Sequence, residues 1–308
     1  MNKTKIVVGF FLLLFTCHEI YGQISSLKIM LLSGNVQIGN SNHWKTGSVS
    51  EKLKNDDYVK ISDNSYLVLV DEKSNKFLEL KNEGTYKVSA LWSKIQTTSA
   101  GLFKRLLNFL KDEIFSKTDS ELLTVAAVKR SANALRLASP ESSKVMANII
   151  PLKWYKIDNG INYCLSISNR WGEKILTKSL SDTAFNFDYH TFNLKDSEYY
   201  FWKVSLCKDS NLVSNEGYFY IEKQELKNNI MDSLVTIEKM FPGDEFSPIK
   251  EFALANFLFS NGLNFDALTH FEKLASSPFF LEEYRKCYIK FLLSVSMIDK
   301  ANTFMKTN

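Results

Sequence analysis

Tyr163-Cys164-Leu165-Ser166-Ile167-Ser168 is the stretch from which the chain is best read. Its side chains alternate with a period of two. That puts Tyr163, Leu165 and Ile167 on one face of an extended strand and Cys164, Ser166 and Ser168 on the other. Downstream, Tyr200, Trp202, Val204 and Leu206 alternate in the same way with Phe201, Lys203, Ser205 and Cys207. Two such strands, each with one apolar face, predict a sheet packed on a core.

Working outward, residues 136–222 hold more short strands. Leu152 and Trp154 begin one. Lys174-Ile175-Leu176-Thr177 follows a turn at Asn169-Arg170-Trp171-Gly172-Glu173. Ala184-Phe185-Asn186-Phe187-Asp188 and Gly217-Tyr218-Phe219-Tyr220-Ile221 complete the set. About seven short strands in so few residues have the size and pattern of an immunoglobulin-like sandwich. The order of Trp154, Tyr163-x-Leu165-x-Ile167, Leu194 and Tyr200-x-Trp202-x-Val204 resembles a fibronectin type III domain. The resemblance implies a spacer or binding module with Trp154 and Tyr200 in its core, and it carries no catalytic residues. In that sandwich the strands bearing Cys164 and Cys207 would be antiparallel neighbours, with both thiols on the outer face. A cross-strand disulfide within one residue of register is open to them. The alternative, two unpaired thiols, is the one the sequence reading favours.

Upstream, residues 27–90 read as a meander of short strands rich in β-branched and aromatic residues. They include Lys28-Ile29-Met30-Leu31-Leu32, Tyr58-Val59-Lys60-Ile61, Tyr66-Leu67-Val68-Leu69-Val70 and Phe77-Leu78-Glu79-Leu80. Asn55-Asp56-Asp57, Ser62-Asp63-Asn64-Ser65 and Asn82-Glu83-Gly84 punctuate them as turns. Gly (12) and Pro (5) are scarce, so Asn, Asp and Ser must make these turns. A curled barrel buries so many short strands in so few residues. Ser33-Gly34-Asn35-Val36, Trp44, Gly47, Leu53, Asp57-Tyr58-Val59, Ser65-Tyr66-Leu67-Val68-Leu69, Leu78-Glu79-Leu80 and Gly84-Thr85-Tyr86 resemble a FecR-type periplasmic domain. The resemblance implies an SH3-like fold outside the cytoplasm. The signalling role of that family is not carried over to this chain.

Between the two β units the period changes. Phe103, Leu106, Leu107, Leu110 and Ile114 fall at spacings of three and four, an amphipathic helix over 99–117. Residues 118–135 link it onward. The chain from 224 is helical, with helices expected over 225–241, from Pro248 to about Ser260, from a cap at Asn264 to about Ala275, and over 280–296 and 298–306. Ala267-x-x-x-Phe271 recurs 34 residues later as Ala301-x-x-x-Met305. With Leu254-Ala255, Gly262 and Pro278 this resembles a tetratricopeptide repeat. The resemblance implies stacked helix pairs with a peptide-binding face. So short an array should pack on the sandwich or on another protein.

The first residues suggest export. Lys3 and Lys5 precede the ten apolar residues Ile6–Phe15, and Gly22 offers the small residue before a cleavage site. The competing reading is lipid anchoring at Cys17, in Leu14-Phe15-Thr16-Cys17. No other stretch is apolar enough to cross a membrane. The predicted order is a signal peptide (1–22), a FecR-like SH3-like β barrel (23–98), an amphipathic linker helix (99–135), a fibronectin- or immunoglobulin-like β-sandwich (136–223) and an antiparallel helical repeat (224–308).

Formal charge is +4, with Lys and Arg scattered, which argues against a nucleic-acid partner. No phosphate loop, Rossmann fingerprint or nucleophile elbow occurs. Past the signal segment, His43, His190 and His270 fall in three different units, so no metal or cofactor site and no catalytic residue is predicted. Two features are harder to assign to a core: Trp171 in a turn and Phe279-Phe280 at a helix junction. They are candidate partner contacts, with packing between units as the alternative. The expected protein is a non-enzymatic exported interaction or scaffold protein of the bacterial cell envelope, in the periplasm, at the surface or secreted. The alternatives are a sensor module of FecR type and a carbohydrate-binding module.

Overall fold

The structure is a computed structural model that describes residues 27–40, 43–71, 73–74, 76–97, 135–157, 162–241 and 247–306. The expected signal peptide, Cys17 and the 99–117 helix lie outside the described residues. The fold is mixed β and α.

Among the described residues the first β unit has nine strands: β1 (Leu27–Ser33), β2 (Val36–Asn40), β3 (His43–Thr46), β4 (Lys52–Leu53), β5 (Tyr58–Ile61), β6 (Tyr66–Asp71), β7 (Lys76–Leu80), β8 (Gly84–Lys87) and β9 (Gln96–Thr97). A one-turn helix, α1 (Val88–Leu91), follows β8. The strands form two sheets, β4-β1-β6-β7-β9 and β3-β2-β5-β8. Ile29, Val36, Ile38, Val59, Leu67 and Leu69 meet between them in one core. Gly34 turns β1 into β2 at a φ of +75°, and a Cβ there would lie 2.6 Å from Ser65 Oγ. Only glycine suits both conditions.

The second β unit has β10 (Ser142–Val145), β11 (Ile149–Lys153), β12 (Tyr163–Asn169), β13 (Lys174–Leu180), β14 (Ala184–Asp188), β15 (Tyr199–Leu206), β16 (Asp209–Val213) and β17 (Gly217–Ile221). The larger sheet runs β10-β17-β15-β12-β13, with β16 on β15, and β11 pairs with β14. The alternation read from the sequence is the burial observed. Tyr163, Leu165, Ile167, Tyr200, Trp202, Val204 and Leu206 are all buried, and Trp154 joins them. The β10–β17 pairing is parallel, and the sequence reading contained neither β10 nor β16.

The helical end comprises α2 (Gln224–Lys239), α3 (Pro248–Ser260), α4 (Asn264–Ala275), α5 (Glu282–Ser294) and α6 (Ile298–Met305). Ser247 caps α3, accepting from the Lys250 N–H at 3.2 Å, and Pro248 occupies the first turn. Phe271 stacks on Tyr288 and Phe291, with centroids 5.2 and 4.9 Å apart.

These helices have no core to themselves. β6 is buried at all six positions. Leu67 and Leu69 face the first unit's interior, whereas Tyr66, Val68 and Val70 join the helical core with Met30, Leu31 and Phe77. On the other side, the Phe265 side chain of α4 enters the core of the second β unit. Around it Asn264 Nδ2 donates to the Ser142 carbonyl (2.7 Å), Phe265 N–H to Ser143 Oγ (3.2 Å) and Lys144 N–H to the Gly262 carbonyl (2.8 Å). Asn264, expected as a helix cap, is instead the first residue of α4, and its amide reaches β10. The helical end therefore holds both β units, where the sequence suggested contact with the sandwich or with another protein.

Candidate functional site

Among the described residues the most exposed large hydrophobic side chain is Trp171, 74% accessible at the β12–β13 turn. The turn is built around Asn169. Its Oδ1 accepts from the N–H groups of Trp171 (2.9 Å) and Glu173 (3.0 Å), and its Nδ2 donates to Glu173 Oε2 (2.7 Å). Gly172 takes the left-handed conformation, φ +80°, with open space around it. The Arg170 guanidinium lies 4.7 Å from the Trp171 ring centroid, within cation–π range. Arg170 Nε also reaches Glu198 Oε2 at 3.6 Å. The indole is thus held on a fixed turn and still open to solvent.

Glu198 precedes Tyr199, and there an aromatic strip begins. Successive strand residues face opposite ways, so Tyr199 and Phe201 on β15 share the outer face with Tyr218 and Tyr220 on β17. Their register pairs are Tyr199 with Tyr220 and Phe201 with Tyr218, at centroid distances of 4.8 and 6.1 Å. Tyr199 and Tyr218 are exposed, and Phe201 and Tyr220 are half-buried. The outer face of this sheet therefore carries a strip of four rings with Trp171 and Arg170 at one end. The sequence reading noticed Trp171 but not the strip. The signal was present, because the polar-side positions of both strands hold aromatics.

The other residues singled out by the sequence are placed as follows. Cys164 and Cys207 are bonded, with Cα atoms 5.1 Å apart. The register pairs Cys164 with Ser205, so Cys207 sits one diagonal step away on the same face. The favoured reading of two unpaired thiols is thus not what the structure holds. Phe279 stacks on Tyr66 (5.3 Å), and Phe280 packs edge-on against Phe304 (5.9 Å). Both junction rings are half-buried and pack within the chain, Phe279 against the first β unit and Phe280 against α5 and α6. His43 opens β3 on the surface.

His190 and His270, separate in sequence, line one cleft of about 450 Å³ where the second β unit meets α2, α3 and α4. His190 hydrogen-bonds Asn148 Oδ1 through Nε2 (2.9 Å). His270 Nδ1 meets Glu251 at 2.7 Å, and Lys273 holds the same carboxylate at 2.5 Å. Burial pushes the Glu251 carboxyl up, but the His270 and Lys273 contacts outweigh it and leave the group below its usual range. Lys227 is buried in the cleft wall, with Nζ 3.3 Å from the Tyr189 hydroxyl and 3.4 Å from Asp196. Asp266 lines the cleft from α4, and burial raises its carboxyl above the usual range. Sequence reasoning missed Lys227 and Asp266, which lie far apart along the chain.

Among the described residues no group of three or more His, Cys, Asp or Glu side chains could hold a metal ion. Likewise no helix there is long and apolar enough to cross a membrane. No protein-family model matches the chain, and no curated protein matches it in sequence.

Proposed function

We propose that this chain is a non-enzymatic exported interaction or scaffold protein of the bacterial cell envelope that engages a protein partner through the outer face of its second β unit. On this reading the first unit is the FecR-type, SH3-like barrel, the second the fibronectin-like sandwich and the last a tetratricopeptide-like pair stack that braces both. The observation that carries the reading is the Trp171–Arg170 pair beside the strip Tyr199, Phe201, Tyr218 and Tyr220. Trp, Tyr and Arg are the residue types that dominate binding energy at protein interfaces. The Asn169 turn fixes Trp171 before any partner arrives, which lowers the ordering cost of association.

The test is a crosslinked pull-down from native cell envelopes with the wild-type protein and with Trp171→Ala. The expected result is a partner captured by the wild type and lost, or weakened at least tenfold, in the variant. Equal capture by both proteins removes the proposed surface. A second reading, carbohydrate binding, draws on the same strip, since rings along a sheet face can stack on sugars. It predicts retention of the purified protein on a polysaccharide, lost with Trp171→Ala.

A further inference from the structure

The cleft between the second β unit and the helices combines features that the interface above does not use. Its volume of about 450 Å³ falls in the range of small-ligand sites. One wall, on α2, presents the Lys227 ammonium. Its two hydrogen bonds, at 3.3 and 3.4 Å, are longer than charge-assisted ones of about 2.7–2.9 Å, and its remaining contact is with the Tyr189 ring, 5.8 Å from the centroid. An ammonium has three donors, so two long contacts leave it under-coordinated. Its acidic neighbour Asp196 is 47% exposed, where solvent screens its charge.

Another wall, on α4, presents Asp266. Its carboxylate makes no ion pair with Lys or Arg among the described residues, and its neighbour one turn on is His270. The cleft thus offers a cation and an anion on separate walls, each short of a full partner. Asn148, Gln224 and Asn228 line the same cleft; Asn148 Oδ1 meets His190 and Gln224 Nε2 donates to Asn228 Oδ1, and the second polar atom of each amide is of the kind that complements a peptide backbone. Met146 and Met231 line the space with flexible, polarisable side chains that adapt to varied apolar groups.

We propose that this cleft binds a short peptide with both ends free, its carboxylate at Lys227 and its ammonium at Asp266. Opposite charges on separate walls select a zwitterion. A simple anion would meet Asp196 and Asp266, and a simple cation would meet Lys227.

The experiment is calorimetric titration of the full chain with the tripeptide Ala-Leu-Ala in three forms: unblocked, N-acetylated and C-amidated. The unblocked peptide is expected to bind, and blocking either end to weaken it at least tenfold. Lys227→Met should erase the penalty for the amidated form, and Asp266→Asn the penalty for the acetylated form. Lys227 is buried, so its replacement could disturb folding. Met231→Trp is the second variant, because Met231 is half exposed at the rim and a larger ring there fills the cleft without entering the core. It should abolish binding while the melting temperature holds. No heat with the unblocked peptide at millimolar concentration, or equal affinity for all three forms, overturns the proposal. Neither result bears on the Trp171 surface.

Discussion

Reducing the Cys164–Cys207 bond should weaken the protein by an amount that its place in the chain sets. The bond closes a loop with a sequence separation of 43 and links two neighbouring strands of the large sheet. The chain-entropy relation gives about 4 kcal/mol for a loop of that length, the upper end of the usual range. A domain's whole stability is commonly about 5–15 kcal/mol, so the loss is large. Phe265 ties this unit to the helices, and the helical core is shared with β6, so the described units should melt together. For a cooperative unit of that size, each kcal/mol is worth roughly 2–4 °C, and the melting temperature should fall by roughly 8–16 °C. The assay is thermal melting followed by circular dichroism, with and without reductant, on wild type and on a Cys164→Ser, Cys207→Ser double variant. The variant should melt where the reduced wild type does and ignore reductant. If oxidised and reduced wild type melt together although mass spectrometry shows the bond intact beforehand, the reasoning is refuted.

Other outcomes follow from particular contacts. Phe279→Ala should cost about 2–4 kcal/mol by denaturant titration, and a double-mutant cycle with Tyr66→Leu should show coupling of about 0.5–1.5 kcal/mol for the stacked pair. At Gly217 a Cβ would lie 2.5 Å from Trp202 Nε1, so Gly217→Ala should destabilise by about 1–3 kcal/mol through overpacking, seen in the same titration. Glu251 has a folded pKa below its unfolded value. The stability it contributes is therefore present above the ordinary carboxylate range and lost as pH falls through the folded value. Melting temperatures measured down through that range should fall less steeply in Glu251→Gln. Burial raises the Asp266 carboxyl, so its contribution has the opposite sign: Asp266→Asn should recover stability as pH rises from the ordinary carboxylate range through the folded value, and give nothing in acid below that range.

Strand and helix identities were largely legible, because alternation and three-four spacing report which face of an element is buried. The bounds of α3 and α4 agree with their turn signals at Pro248 and Asn261-Gly262. How the units pack was only half written. Tyr66-Leu67-Val68-Leu69-Val70 is apolar without interruption, the pattern of a strand covered on both faces. By sequence alone it is one more strand of a barrel; in the fold it marks where the helices dock. The β10 strand, Ser142-Ser143-Lys144-Val145, has almost no β signal of its own, since its place depends on β17 and on α4. The cleft could not have been read at all. Its charged groups lie on segments joined only by tertiary packing, and no local spacing connects Lys227 with Asp266.

Cys287 lies outside the disulfide and is buried in α5, within the core that the helices share with β6. A thiol in that position is a clock. A maleimide in solution can reach it only when the helical core opens, so its rate of labelling, assigned by peptide mapping, counts openings under native conditions. A ligand that tightens the cleft against α4 should slow that clock, whereas a partner resting on the far face of the second sheet should leave its rate unchanged.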